Sequence, residues 1–432
     1  MPEPNPYESP LEPKPLTNAA PAPQSVFGLP DFRRMVVSIA CSTLAGQALA
    51  LVAGYQVFEI TGKPLAIGIL GLVEAIPAIS LSLYGGHIAD RHDRRRILIV
   101  TMSLLTLCSA LLVVSSYFGV SLIVLYVAMF VVGIGRSFAG PALSALEAQV
   151  VPMQLIVKSA TWFATTWLVA AVVGPLVGGF AIAFFGPLPT YLIIAALYAI
   201  AWLAALQISP QPRVQPRHQE SVWQSITSGV AYVFSNQPLL GSMSLDLFAV
   251  LFGGVVALLP VFAKEVLFVD AFRLGFLRAA PHTGALLTML IATRHPPVRH
   301  AGRNLLLAVV GFGVGVLVFA VSRNFYLSLA MLFLSGVFDG ISVVIRRSIV
   351  RLLSPNHLRG RIAAVSLIFI GSSNELGALE SGLAAAWLGT VPSVVAGGTV
   401  TLLVALFTAV LAPRLRALRL DVAHEDFKLP GK

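Results

Sequence analysis

The chain has 432 residues, 57% of them hydrophobic and only 11% charged, with a formal charge of +10 and a mean hydropathy of +0.85. Soluble globular chains carry about 45–50% apolar and about 25% charged residues, so the composition excludes a soluble protein and indicates an all-α polytopic membrane protein. The length holds about a dozen helices of ~20 residues with short links, and leaves no room for a large soluble domain.

Residues 1–30 are rich in proline (Pro2, Pro4, Pro6, Pro10, Pro13, Pro15, Pro21, Pro23) and are expected to form a disordered cytoplasmic arm. The arm does not read as a secretory signal, because the first apolar run follows Arg33-Arg34 and is too long for one. A first group of apolar windows then predicts spans at Met35–Phe58, Leu65–Tyr84, Ile97–Phe118, Ser121–Leu143, Leu155–Phe185 and Pro189–Leu206. A second group predicts spans at Leu239–Phe262, Leu274–Thr293, Asn304–Val321, Phe325–Ile345, Ile362–Leu388 and Val391–Leu411. The division is therefore a bundle over 31–208, a linker over 209–238, a bundle over 239–412 and a basic tail over 413–432. Within the linker, Trp223, Ile226, Val230 and Val233 recur at helical spacing, which predicts a short helix lying along the membrane surface.

Orientation follows from the cations. With the N-terminus inside, 23 of the 29 Lys and Arg residues, among them Arg346 and Arg347, fall in links and helix ends on the cytoplasmic side. Five (Lys63, Lys264, Arg273, Arg278, Arg323) fall on the outer side, and Arg136 lies deep within a span. Both termini are then cytoplasmic. The cations sit between apolar runs, the pattern of loops anchored at an anionic membrane face, and no nucleic-acid partner is expected. Cys41 and Cys108 fall inside apolar spans with no disulfide or metal-ligand spacing, so neither metal nor cofactor is expected.

The two halves repeat. A shift of 203 residues aligns Gly133 with Gly336, Pro152 with Pro355, Lys158 with Arg361, Gly174 with Gly377 and Gly179 with Gly382, and sets Arg136 opposite Asp339. Six helices repeated in the same orientation give two parallel bundles about an axis along the membrane normal, a transporter architecture.

Three stretches resemble the major facilitator superfamily. Gly86-x-Ile88-Ala89-Asp90-Arg91-x-x-Arg94-Arg95 is similar to its loop signature between spans two and three. Gly174-Pro175-Leu-Val-Gly178-Gly179 resembles the motif of its drug antiporters, and Arg136 its intramembrane arginine. Tyr55–Gly62 and Ile368–Gly377 resemble the branch holding the enterobactin exporter and macrolide efflux proteins. The resemblance implies a central cavity lined by spans one, four, seven and ten, which here present Gln47, Arg136, Asp246 and Asp339. It also implies a cytoplasmic latch built from Gly86, Asp90, Arg91, Arg94 and Arg95, with span two lying close to span eleven across the seam between halves. Topological anchoring by arginine is the alternative. Asp93 departs from the family's usual glycine, and Ala45-Gly46-Gln47 lacks the acid many branch members carry in span one.

Ionisable groups inside spans cost at least ~2.5–3.5 kcal/mol at the bilayer centre, so they face a cavity or a partner. Glu74, Arg136, Asp246, Asp339, Glu375 and Glu380 are of this kind, while Lys158 and Arg278 fall in predicted end turns and can reach headgroups. A carboxylate near a cation in a cavity that alternately wets and dries can carry a proton; a static pair of Arg136 with Asp339 or Asp246 is the alternative. Glu375 and Glu380 are five residues apart and cannot share a helix face, and Glu380 is expected to reach headgroup water. Gly174, Pro175, Gly178, Gly179, Gly377 and Gly382 are expected to serve close packing or bending. His87, His92, His282 and His295 are expected at solvated helix ends or loops.

The expectation is a secondary exporter of amphipathic, drug- or siderophore-like small molecules, coupled to protons, acting as a monomer in a bacterial-type cytoplasmic membrane. An importer or uniporter of a small polar solute is the alternative. A membrane enzyme is more remote, since no nucleophile–base or metal-ligand set is visible, and no Walker-type loop couples the chain to ATP.

Overall fold

A computed structural model describes residues 25–211, 222–295, 297, 299–355 and 358–420. Most of the expected N-terminal arm, the first part of the linker and the end of the basic tail lie outside the described residues. Among the described residues the chain is helical, with no strand. The first half comprises α1 (Pro30–Thr61), α2 (Pro64–Ser80), α3 (Ser82–Arg91), α4 (Arg94–Phe118), α5 (Leu122–Val150), α6 (Ile156–Phe185) and α7 (Pro187–Leu206). After α8 (Val222–Ser235), the second half comprises α9 (Gln237–Gly253), α10 (Leu259–Val261), α11 (Ala271–Ala292), α12 (Ala301–Val321), α13 (Phe325–Leu353), α14 (Arg359–Leu388) and α15 (Thr390–Leu411), and α16 (Pro413–Arg416) follows.

Ten of the described helices are long and apolar enough to cross a membrane. The expected second span is built from α2 and α3, which meet at Leu81, and the expected eleventh is α14. Two bundles result, with the linker helix α8 packed on α14 and α9.

The repeat is visible in the element boundaries. Both ends of α13 lie 203 residues beyond those of α5, and the same offset relates α6 to α14. The turn after each of the latter pair uses a glycine in a left-handed conformation, Gly186 with φ 76° and Gly389 with φ 90°, a region that only glycine enters freely.

One face of the molecule bears the start of α1, the α3–α4 link and the end of α7, and with them most of the arginines; it is called the basic face below. At the opposite, far face the halves share one hydrophobic core, in which Leu51, Val57 and Phe58 join Leu258, Phe262, Phe319 and Leu274. Toward the basic face the second half keeps a core of its own, built on Leu239, Leu305, Ile345 and Ile362, without residues from the first half. Among the described residues, then, the halves share a core at the far face and not in this second cluster.

Candidate functional site

The far-face seal is made by glycines at repeat-related positions. A Cβ on Gly179 of α6 would meet the Ala271 carbonyl oxygen and Gly275 of α11, and one on Gly382 of α14 would meet Gly68 of α2. Ala271 and Gly68 are themselves 203 residues apart, so the same contact is made twice about the axis. Deeper within each half, Gly174 seats on Gln47 and Leu44 of α1, Gly178 on Ala48, and Gly377 on Val250 and Leu251 of α9. A Cβ on Gly275 would in turn meet the Pro175 carbonyl oxygen. Absence of side chains at these points lets the helix backbones touch.

Below the seal the helices line a cleft. On α5 a second exposed stripe, Arg136, Gly140, Ser144 and Ala148, runs at four-residue spacing toward the basic face. Arg136 is nine residues from exposed Val127, half a turn around the helix from the outer face. On α13 the repeat-related positions are Asp339, Val343, Arg347 and Arg351, and the last two are exposed. Arg136 and Asp339 each stand at the midpoint of a 29-residue helix, yet their side chains are 58% and 42% exposed. Mid-helix charge with this exposure, away from the outer face, requires a water-filled opening.

Among the described side chains the charges pair within each half, not across the axis as the repeat suggested. Arg136 donates to Glu74 at 2.7 Å, within the first half. Asp246 of α9 and Asp339 share Arg346, at 2.5 Å and 3.9 Å, within the second. Arg136 therefore pairs with neither Asp339 nor Asp246 in this structure. Arg346, counted from sequence among the terminal-side anchors, is 11% exposed and also donates to Ser342. The guanidinium is drawn inward because two carboxylates lie within reach.

Three further expectations need correction. Arg278 is not in an end turn: α11 begins at Ala271, capped by Asp270 accepting from the Arg273 amide, so Arg278 is its eighth residue and half-buried. His282 is not in a loop: it is half-buried in mid-α11, its ring edge-on to Trp167 at 6.4 Å. Glu380 does not stand free in headgroup water. It is half-buried beside Ser381 and lines a small cavity with Phe252 and Gly253.

That cavity adjoins a break the apolar window concealed. The expected seventh span leaves α-helical geometry at Gly254, passes through a 3-10 turn (Val255–Leu258) and α10, and ends in a π-turn (Phe262–Val266). Ser381 of α14 donates to the Gly254 carbonyl at 3.3 Å, satisfying an acceptor the break releases.

The charged loop acts within its own half. Span two does meet span eleven, at Gly68 and Gly71 of α2, but Gly85 lies against the Ser137 carbonyl of α5, and among the described residues nothing lies within 4 Å of a Cβ on Gly86. Arg94 donates to the carbonyls of Ala89 (3.2 Å) and Ala145 (3.4 Å). Arg95 donates to those of Leu206 (2.8 Å) and Ile208, closing the end of α7. Arg91 is exposed at the end of α3. Asp90 and Glu375 belong to the backbones of α3 and α14; their side chains lie outside the described ones. Among the described residues no group of three or more His, Cys, Asp or Glu could hold a metal ion.

Two helical bundles joined at the far face around a charged cleft define a membrane transporter fold. Residues 19–429 match the family described as transmembrane secretion effector, and the chain belongs to that family of the major facilitator superfamily. It is 22% identical over 396 residues to the enterobactin exporter EntS of Shigella flexneri, covering 90% of this chain and 93% of that protein. It is 23% identical over 409 residues to EntS of Escherichia coli O1:K1, covering 90% and 94%. Solved structures of similar fold include a POT family transporter in complex with 5-aminolevulinic acid (TM-score 0.72, 13% identity, 89% of this chain and 96% of that one). A D-xylose–proton symporter is also similar (TM-score 0.70, 16% identity, 89% and 99%). The family and these relatives are transporters, which points away from an enzyme.

Proposed function

We propose that this protein exports amphipathic small molecules, drug- or siderophore-like, by alternating access in exchange for protons. The cation distribution supports a cytoplasmic basic face, with the termini and the cleft mouth on that side of a bacterial-type inner membrane. The observation that carries the reading is the pairing of a glycine-sealed far face with the solvent-exposed, mid-helix Arg136 and Asp339. That is one end state of an alternating cycle. The open space beside Gly86 supports a latch that is released in this state and engages when the cytoplasmic side closes. The similarity to enterobactin exporters supports the outward direction.

The test is transport of candidate drugs and siderophores into inside-out vesicles, with an imposed pH gradient. An acidic lumen should accelerate uptake of at least one of them. Uptake indifferent to the gradient for every transported compound would remove proton exchange, and uptake only into right-side-out vesicles would make the protein an importer. Asp90→Asn should insert normally yet transport poorly; full transport by that variant would leave the loop a structural clamp.

A further inference from the structure

We propose that the cleft takes an amphipathic organic anion, whose acidic group is received by Arg278 together with Arg136 while its apolar body lies against Trp167. The inference rests on the transporter reading above and names the class of substrate.

Arg278 faces the cleft by geometry. Exposed Phe276 and Leu287 mark the outer face of α11, and two residues on from Phe276 is about 200° around the helix. Arg278 also falls three residues after Gly275, which seats on α6, and four before His282, whose ring meets Trp167. Trp167 is 48% exposed, and it is two residues from Val169, which marks the outer face of α6, so its indole lies on the opposite, cleft side.

Arg278 has no hydrogen-bond or ion-pair partner among the described residues. Arg278 is half-buried, and the Glu74 carboxylate makes no hydrogen bond or close ion pair with it. That carboxylate is already held by Arg136 at 2.7 Å. Arg278 is thus left without a close acceptor in the middle of α11, where an unpaired cation is costly. A ligand carboxylate or similar oxyanion would supply the missing acceptor in the bidentate geometry a guanidinium favours. In the second half Asp246 and Asp339 are already served by Arg346. Exposed Arg347 and Arg351 on the cleft stripe of α13 add to the attraction for anions from the basic face.

The experiment measures binding to the purified full-length protein by tryptophan fluorescence, using 2-naphthoate, its methyl ester and 2-naphthylmethylammonium. Naphthoate should bind wild type about tenfold or more tightly than the ester, the weight of a charge-assisted hydrogen bond. Arg278→Gln should abolish that margin and leave ester binding unchanged, and Arg278→Lys should keep part of it. Equal binding of naphthoate and ester by wild type, tightest binding of the ammonium, or parallel loss of both ligands in Arg278→Gln would each overturn the proposal. The wild-type comparison needs no variant to fold. Because no gradient or vesicle enters, failure here is separate from failure of proton-coupled export.

Discussion

Gly382 and Gly68 meet backbone to backbone across the two halves: a Cβ on Gly382 would stand 2.6 Å from the Gly68 Cα. No side chain fits at that distance, so Gly382→Val must part α14 from α2. The seal at the far face should loosen and the population shift away from the state with an open basic face. In a background lacking Cys41 and Cys108, Gly140→Cys should react more slowly with a membrane-impermeant maleimide supplied at the basic face. Gly179→Val repeats the test on the other side of the axis, where a Cβ would stand 2.6 Å from the Ala271 carbonyl oxygen. Unaltered labelling and transport in both variants would mean that the glycine contacts do not govern the gate.

Arg346 is the residue whose loss should damage folding most. It closes on Asp246 at 2.5 Å in a buried setting, with Asp339 at 3.9 Å. Removing one partner of a buried pair leaves an uncompensated charge and costs about 3–5 kcal/mol. Arg346→Ala should therefore lower the denaturation midpoint in detergent far more than Asp339→Asn, whose carboxylate is longer-range and 42% exposed. Adding Asp246→Asn to Arg346→Ala should recover part of the loss. If the double variant is less stable than Arg346→Ala, the two residues are not coupled as the contact indicates.

Asp93 stands where the family loop carries glycine, yet its φ of −63° demands no glycine. Its carboxylate caps α4, accepting from the Arg95 amide at 2.9 Å and the Arg96 amide at 3.4 Å. Asp93→Ala should cost about 1 kcal/mol and Asp93→Gly only a few tenths. Chemical denaturation of the detergent-solubilised protein would separate the two. A larger loss for glycine than for alanine would point to a strained turn instead of a cap.

What could be read from the sequence was what has a period. The 203-residue offset runs through Gly133 and Gly336, Gly174 and Gly377, and Gly179 and Gly382, and the matching ends of α5 with α13 and α6 with α14 follow it. The spans followed from apolar windows, and the family from the charged loop, the Gly174–Gly179 motif and Arg136. What escaped is set by tertiary contact. The break at Gly254 lies in an unbroken apolar run, and Ser381, 127 residues on, satisfies the freed carbonyl. Arg346 lies beside Arg347 near a helix end, so charge counting assigned both to the surface; its spacing of two helical turns from Asp339 was the available signal. Arg278 was misplaced because an apolar window cannot see the polar first turn of α11, although Asp270 was available as a capping residue.

Glu74 and Asp339, both within the spans, differ in exposure and pairing, and the difference bears on the proposed proton exchange. Glu74 is 14% exposed and bound to Arg136 at 2.7 Å, so its charge is already balanced by a close partner. Asp339 is 42% exposed, 3.9 Å from an arginine that Asp246 holds more closely. A carboxylate that meets water in one state and loses it when the basic face closes is the one whose proton affinity must change through the cycle. Asp339→Asn should therefore abolish the stimulation of vesicle uptake by an acidic lumen, while substrate exchange at equal pH on both sides continues. Glu74→Gln should impair both, because it frees Arg136 within the cleft. Gradient-stimulated uptake that survives in Asp339→Asn and is lost selectively in Glu74→Gln would exchange the two roles.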